Sequence, residues 1–398
     1  MTGHDGARHR SATPRIDGRR RLISTLSEFG ALSRAELARR TALAPSTIST
    51  LTADLLRDGL IVERSETPVP AAGPRGGRPA TLLALHRSAG LVVGIDFGKT
   101  HVRVAVADRA HELIAERSKQ VDPDQRSATH IKVAVRLVHA ALESARANRD
   151  QVVGVGMGLP GPINRATGQI GDSAILPGWV GVNASKAMSD ALGLPVSVDN
   201  DANLGALAEW VWGAARGCNE LAYIKAATGI GAGLITNGRP FGGYGGTAGE
   251  IGHTIIDPSG PICRCGNRGC LEMLAGTPAL LAALQPTHPD ITNAADVIAR
   301  ARDGDSGCAR ALTDSGRAIG TALATLCNIT NPERIIVGGE LGAAGDLVLD
   351  PMRDALHRGA IRSAGQDVTL CQSTLGERAE VLGAVALALT RLGHALER

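Results

Sequence analysis

Aromatic residues are scarce in this 398-residue sequence, at 2%, so its core must be filled mainly with Ala, Val, Leu and Ile. The 50 glycines point to many tight turns. No apolar run reaches the roughly 18–20 residues needed to cross a bilayer, which argues against a transmembrane helix. The N-terminus lacks the apolar core of a secretory signal, so the expected location is the cytoplasm. Cysteines are too few and too uneven for a disulfide scaffold: three of the seven are clustered, while Cys218, Cys308, Cys327 and Cys371 are scattered and read as reduced core thiols. A large net charge is also missing, at +3. Hydrophobic residues, at 43%, are ordinary for a globular protein, and the length allows two or three domains.

What is present starts with a group of chelating residues. Glu250-Ile251-Gly252-His253 is followed, nine residues later, by Cys263-Arg264-Cys265-Gly266-Asn267-Arg268-Gly269-Cys270-Leu271-Glu272. One imidazole (His253) and three thiols (Cys263, Cys265, Cys270) fall within eighteen residues. That is the ligand set of a closed, tetrahedral structural zinc site, with no open position for a metal-bound water. Three buried cysteines close together by chance are the plainer reading. Cys-x-Cys, Cys-x4-Cys and an upstream His together argue against it. Glu250 and Glu272 bracket the cluster, so the metal would staple a loop that presents carboxylates.

The run Glu-x-Gly-His, then Cys-x-Cys-Gly-x2-Gly-Cys-Leu-Glu, resembles the signature of the ROK family (repressor, open reading frame, kinase). Its members are sugar kinases and sugar-responsive transcriptional repressors. The resemblance extends from about Leu91 to the C-terminus. It implies a two-lobed α/β fold of the actin-like (ribonuclease H-like) ATPase and sugar-kinase type over residues 91–398. Lobe one would comprise 91–199 plus a terminal helix at about 377–396, and lobe two 200–376, with sugar bound in the cleft between them.

Leu91 to Asp96 and His101 to Ala107 read as two strands joined at Gly98. Asp96-Phe97-Gly98-Lys99-Thr100 resembles the first phosphate motif of actin-like kinases, in which an Asp addresses magnesium and turn amides hold phosphate. The resemblance thus points to Asp96, Gly98 and Thr100. Lys99 stands where a second Gly is expected; its Cβ is costly if φ must be positive, and its side chain would fill phosphate space. An ordinary hairpin with an exposed Lys is the plainer alternative. Pro160-Gly161-Pro162 lets backbone approach a ligand, or is simply a turn. Trp179, on a Gly/Pro loop, either lies against a sugar face or anchors the loop. Val196 to Asn203 reads as a strand running into a helix, with polar residues where α/β proteins place ligands. The resemblance implies that Asn200 grips a sugar hydroxyl and that Asp201 is the catalytic base of a kinase-active protein. Capping of the helix by Asp199 or Asn200 is the alternative use of these side chains. Thr228-Gly229-Ile230-Gly231 resembles the second phosphate loop, with Ala227 where family kinases usually show Gly. Gly338-Gly339 is similar to the nucleotide-side turn. Gly161, Asn200, Asp201, Glu250, His253 and Glu272 are the expected sugar contacts, since carboxylates accept strong hydrogen bonds from sugar hydroxyls. His253 can serve twice, with one ring nitrogen on zinc and the other donating to sugar.

Residues 1–80 carry 13 Arg and 8 acidic residues, a local +5, whereas the remainder carries 29 basic and 31 acidic groups. A basic module beside a near-neutral one suggests that one part meets a polyanion. Residues 1–14 read as a disordered arm and 15–87 as a winged helix-turn-helix. Leu22, Ile23, Leu26 and Phe29 recur at helical spacing; Ser33-Arg34-Ala35-Glu36 is a capping box; Pro45-Ser46 starts a third helix with Ile48, Leu51 and Leu55 inward. Leu60 to Val62 and Pro79 to His86 read as a hairpin around an Arg/Gly/Pro-rich wing tip. Ser46, Thr47, Ser49 and Thr50 would lie near base edges or phosphates, with Arg34, Arg40, Arg57, Arg75 and Arg78 near phosphates. A helical oligomerisation module with solvated arginines is the alternative. The segment is also similar to the winged-helix half of ROK repressors, and plain sugar kinases of the family lack it.

Together these readings give a sugar-responsive DNA-binding regulator, a repressor and homodimer, with structural Zn2+ and a sugar effector. The Lys99 and carboxylate arguments favour an unphosphorylated sugar. The alternative is an active, glucokinase-like hexose kinase carrying a DNA-binding extension, for which ATP and Mg2+ would be required.

Overall fold

Ser33 and Glu36 form the reciprocal capping box that their spacing foretells: Ser33 Oγ accepts the Glu36 N–H at 3.2 Å, and Glu36 Oε2 accepts the Ser33 N–H at 2.9 Å. The computed structural model describes residues 12–65, 81–86, 90–164, 167–171 and 175–397. In the N-terminal unit, α1 (Ala12–Phe29), β1 (Leu32–Ser33), α2 (Arg34–Thr41) and α3 (Pro45–Arg57) precede the hairpin β2 (Ile61–Ser65) and β3 (Thr81–Leu85). Helix α1 starts earlier than the arm reading allowed, at Ala12; residues 1–11 and most of the wing tip lie outside the described residues. Gly30, at φ 72°, ends the first helix. Strand β1 adds a third member that periodicity could not reveal in two residues, giving the order β1-β3-β2. Leu22, Leu26, Leu37, Ile48, Leu51 and Leu55 share one core, each fully buried aliphatic contributing roughly 1.5–3 kcal/mol.

The rest of the chain forms two lobes on one plan. The first contains β4 (Leu91–Phe97), β5 (His101–Asp108), β6 (Leu113–Gln120), α4 (Ser127–Ser144), β7 (Val152–Leu159), α5 (Ala184–Leu192) and β8 (Val196–Asn200). Then come α6 (Asp201–Val211), β9 (Leu221–Ala226), β10 (Ile230–Thr236), β11 (Arg239–Phe241), α7 (Leu271–Ala275), α8 (Thr277–Leu284), α9 (Ala294–Arg302) and α10 (Ser306–Thr330). The last elements are β12 (Arg334–Gly338), α11 (Gly339–Gly342), α12 (Asp346–Gly359), α13 (Arg362–Gly365), β13 (Thr369–Gln372) and α14 (Ala379–Glu397). The sheets run β6-β5-β4-β7-β8 and β11-β10-β9-β12-β13. In each, three strands pair antiparallel and the last two add in parallel. Helix α14 returns to the first lobe, packing on β4 and β7, and also lies along α6.

The N-terminal unit docks on this body through α1. Ser27 Oγ donates to the Leu389 carbonyl of α14 at 3.2 Å. Phe29 meets Trp210 edge-on, with centroids 4.8 Å apart. His111 Nε2 lies 2.8 Å from the Ser27 carbonyl, which makes it the donor and leaves Nδ1 buried without a partner among the described residues. Burial pushes the His111 pKa from the ordinary 6.5 down to about 4, against the smaller opposing effect of the Ser27 hydrogen bond.

Between those two values the unfolded chain binds the extra proton and the folded chain does not. The His111 contribution is therefore complete above about pH 6.5 and is lost as pH falls toward about 4. The loss is at most about 3 kcal/mol. Urea midpoints measured from pH 7.5 to 4.5 should fall more steeply for the wild type than for His111→Gln; equal slopes would show that this histidine does not govern the joint.

Candidate functional site

The polar run Asp199-Asn200-Asp201 sits where β8 becomes α6. Asn200 is the N-cap of α6, its Oδ1 accepting from the N–H of Ala202 at 2.8 Å and of Asn203 at 3.4 Å. Its Nδ2 donates to the Gly161 carbonyl at 3.0 Å. Capping thus occupies the Asn200 oxygen, while the residue still lines a cleft of about 1300 Å³. The cleft is walled by both lobes. Gly98, Thr100 and Gly161 come to it from the first lobe, Asn200 and Asp201 from the junction of β8 with α6, and Thr228, Gly229, Gly231, Glu250, His253, Glu272, Gly338 and Gly339 from the second lobe.

Asp96 departs from expectation. It is 2% exposed and is not on the cleft wall. The ring of His101 lies against Gly98 and brings Nε2 to 3.0 Å from Asp96 Oδ2. A side chain five residues away thus occupies one of the two oxygens of the carboxylate that the motif would offer to a metal. Lys99 lines the cleft and is exposed, and it is not among the residues with positive φ, so its turn carries no backbone strain.

Lys225 and Glu380 were not singled out by sequence reasoning. Lys225 Nζ lies 2.9 Å from Asp201 Oδ2 and 3.3 Å from Glu380 Oε1. Burial alone would depress the lysine; the carboxylates of Asp201, Glu380 and Asp96 more than reverse this and hold it well above its ordinary value. The available signal was a lone Lys in the apolar strand Leu221–Ala226 and a lone Glu near the start of an apolar terminal helix. Glu250 is pushed up by burial first, then by Asp201 and Glu272, so it holds a proton more readily than a free carboxylate.

The chelating residues converge. The ligand atoms of His253, Cys263, Cys265 and Cys270 lie within 4.8 Å of one another. Cys263 Sγ to His253 Nδ1 and Cys265 Sγ to Cys270 Sγ are both 3.6 Å. Ligands about 2.0–2.3 Å from a shared tetrahedral centre would be separated by roughly 3.5–3.8 Å, so these residues can hold a metal. Gly252 explains the Gly in Glu-x-Gly-His: a Cβ there would strike the Ile230 carbonyl of β10, so glycine lets the loop lie on the sheet. His253 turns Nδ1 toward the sulfurs and Nε2 toward Glu250, 4.0 Å away. Glu272 Oε2 accepts from Arg264 at 3.0 Å, another partner missed from sequence. Gly339, at φ 76°, turns the chain where a Cβ would meet the Ala226 carbonyl.

Trp179 is fully buried, 5.0 Å from the Phe97 ring, and donates to His130 Nδ1 at 3.1 Å; it anchors its loop. On the N-terminal unit, Ser46, Thr47, Ser49 and Thr50 are exposed on α3, while Ile48 and Leu51 face inward. Arg57 is exposed beside Asp54, and Arg34 pairs with Glu63 at 2.8 Å. Arg40 is exposed, and its guanidinium also stacks 3.9 Å above the Phe29 ring and 5.9 Å from that of Trp210, a cation–π contact at the joint. Arg75 and Arg78 lie outside the described residues. No helix among the described residues is long and apolar enough to cross a membrane.

Comparison with known proteins gives a consistent pattern. The ROK family profile matches residues 92–391. The xylose repressor of Caldicellulosiruptor bescii is 28% identical over 93% of this chain and 94% of its own length. A glucokinase of Halalkalibacterium halodurans is 30% identical over 92% of its own length but 73% of this chain. The crystal structure of a ROK family transcriptional regulator, a homolog of the E. coli MLC protein, superposes with a TM-score of 0.74 at 26% identity, covering 96% of this chain and 99% of that one.

The converging ligand set leads to a direct test. Metal analysis of the purified chain should find about one tetrahedrally bound ion per chain, and Cys270→Ser should lose it. A wild-type chain that binds no ion under metal-replete conditions would refute the site.

Proposed function

Because the chain belongs to the ROK family, we propose that it is a sugar-responsive transcriptional repressor. Its two lobes have the family's actin-like sugar-kinase fold, with mixed sheets. The observation that carries the reading is the span of the likenesses. The repressor relative and the regulator structure align through the N-terminal unit, whereas the glucokinase leaves out about a quarter of this chain. In this reading residues 15–87 are a winged helix-turn-helix, with α3 in the major groove of duplex DNA. Ser46, Thr47, Ser49 and Thr50 lie toward base edges, and Arg34 and Arg57 toward phosphates. Arg40, exposed beside the joint, lies toward phosphates as well. The chain acts as a homodimer, whose two units meet half-sites about one helical turn, or a multiple, apart.

The sugar sits in the cleft. Asn200 and Gly161 position its hydroxyls, Asp201, Glu250 and Glu272 accept from them, and His253 donates through Nε2. Zinc is the metal suited to His253, Cys263, Cys265 and Cys270, a soft and closed ligand set. It is structural, holding the loop from which Glu250, His253 and Glu272 reach the sugar. Lys99 and the carboxylates favour an unphosphorylated effector.

An ATP-dependent hexose kinase with a DNA-binding extension is favoured by one set of observations: the glucokinase likeness and the presence of Asp201, Thr228 and Gly229 in the cleft. The capture of Asp96 by His101 and of Asp201 by Lys225 counts against it. Turnover in a coupled ATP assay separates the two.

A panel of unphosphorylated pentoses and hexoses, without ATP, should raise the melting temperature for at least one sugar. Saturation at a hundred times Kd corresponds to about 2.7 kcal/mol of added stability. Asp201→Asn should abolish the shift; a shift seen only with sugar phosphates would reverse the choice of effector.

DNA selected from random duplexes should bind the full chain and respond to the same sugar. Thr47→Ala should alter the selected sequence, whereas Arg57→Ala should weaken all sequences alike and reduce the salt slope by about one. Wild-type protein that selects no sequence would refute the repressor reading.

A further inference from the structure

Two carboxylates meet one ammonium at the cleft wall. Lys225 Nζ touches Asp201 Oδ2 at 2.9 Å and Glu380 Oε1 at 3.3 Å, and Asp96 is the third acidic group that acts on it. The three belong to different parts of the chain: the end of β4, the start of α6 and the start of α14. All are nearly buried, at 2%, 8% and 6% exposure for Asp96, Asp201 and Glu380. One oxygen, Asp96 Oδ1, is buried with no hydrogen-bond partner among the described residues. Three buried carboxylates without a cation would repel one another. Hard oxygen ligands in such a group would ordinarily gather a divalent ion. Here the chain supplies the cation itself. The cross-strand neighbours of Lys225 are Gly231 and Gly338; glycine at 338 leaves room for the Tyr223 hydroxyl, which donates to Glu380 Oε1 at 3.4 Å.

We propose that Lys225 is the resident cation of this cleft. Its ammonium holds the place where Asp96, Asp201 and Glu380 would otherwise gather a divalent ion, so ligand binds without Mg2+. Asp201 is then a fixed acceptor and not a free base: Oδ2 accepts from Lys225, and Oδ1 accepts from the Ala202 N–H at 2.9 Å. The consequence for ligand binding rests on the sensor reading given above; the occupancy of the carboxylate cluster does not.

The test counts Mn2+ bound to full-length, zinc-loaded protein by electron paramagnetic resonance. Wild type should show no Mn2+ that depends on Asp201, so wild type and Asp201→Asn should give equal counts. Lys225→Met should gain one ion per chain, lost again in Lys225→Met/Asp201→Asn, while Lys225→Arg should behave as wild type. Removing a unit positive charge a few ångströms away should strengthen Mn2+ binding by about tenfold or more. A wild-type ion lost in Asp201→Asn would overturn the proposal, as would a folded Lys225→Met that gains none. Should Lys225→Met fail to fold, the wild-type comparison with Asp201→Asn still decides. Sugar titrations with and without Mg2+ should give the same Kd; a tenfold dependence on Mg2+ would also overturn it. Failure of every sugar to bind, with the Mn2+ pattern as expected, would sink the sensor reading and leave the role of Lys225 standing.

Discussion

Helix α14 lies closer to its neighbours than side chains would allow, and glycine is placed at the contacts that require it. A Cβ on Gly94 would run into the Val381 carbonyl, one on Gly156 into that of Ala384, and one on Gly383 into that of Leu204. Two of these glycines are on sheet strands and one is on the helix itself. Close-packed interiors do not absorb such intrusions cheaply. The approach to α14 is also fastened by Glu209, which is fully buried and accepts from the backbone N–H groups of Ala214, Thr374 and Leu375 and from the hydroxyls of Ser373 and Thr374. Its buried charge is satisfied by these donors, as burial demands.

That seating gives α14 two functional neighbours. Near its start, Glu380 enters the carboxylate cluster with Lys225; nine residues on, the Leu389 carbonyl meets Ser27 of α1. One rigid element therefore touches both the cleft and the unit that carries the exposed polar face of α3. A switch between such places requires a ligand that binds two states unequally. The contacts of α14 are where two states would have to differ.

Charge organises the cleft in a second way. Glu250, Glu272 and Asp201 share one space, and the burial of Glu250 beside the other two raises its proton affinity. Arg264 and Lys225 offset part of this repulsion from opposite sides. A metal at His253 and the three cysteines would hold two of these carboxylates at the ends of a short, glycine-rich loop. A sugar entering there meets acceptors fixed in advance, which lowers the ordering cost of binding.

Much of this was legible along the chain because it depends on local spacing. The capping box at Ser33 and Glu36, the inward Ile48, Leu51 and Leu55, the hairpin strands from Leu91 to Ala107 and the chelating run from His253 to Cys270 all follow from residues a few positions apart. What tertiary structure alone decided involves partners far apart in sequence. Arg40 gained a second partner because Phe29 and Trp210 came together beneath it. Trp179 could have faced a sugar until Phe97 and His130 enclosed it. Asp96 and Asp201 carry the residue types of a phosphoryl-transfer site, but His101 and Lys225 reach them only when β4 pairs with β5 and α6 packs on β9. Residue type and spacing set which groups are available to a site. Which of those groups remain free is set by packing, because a buried charge takes whatever partner the fold brings within reach.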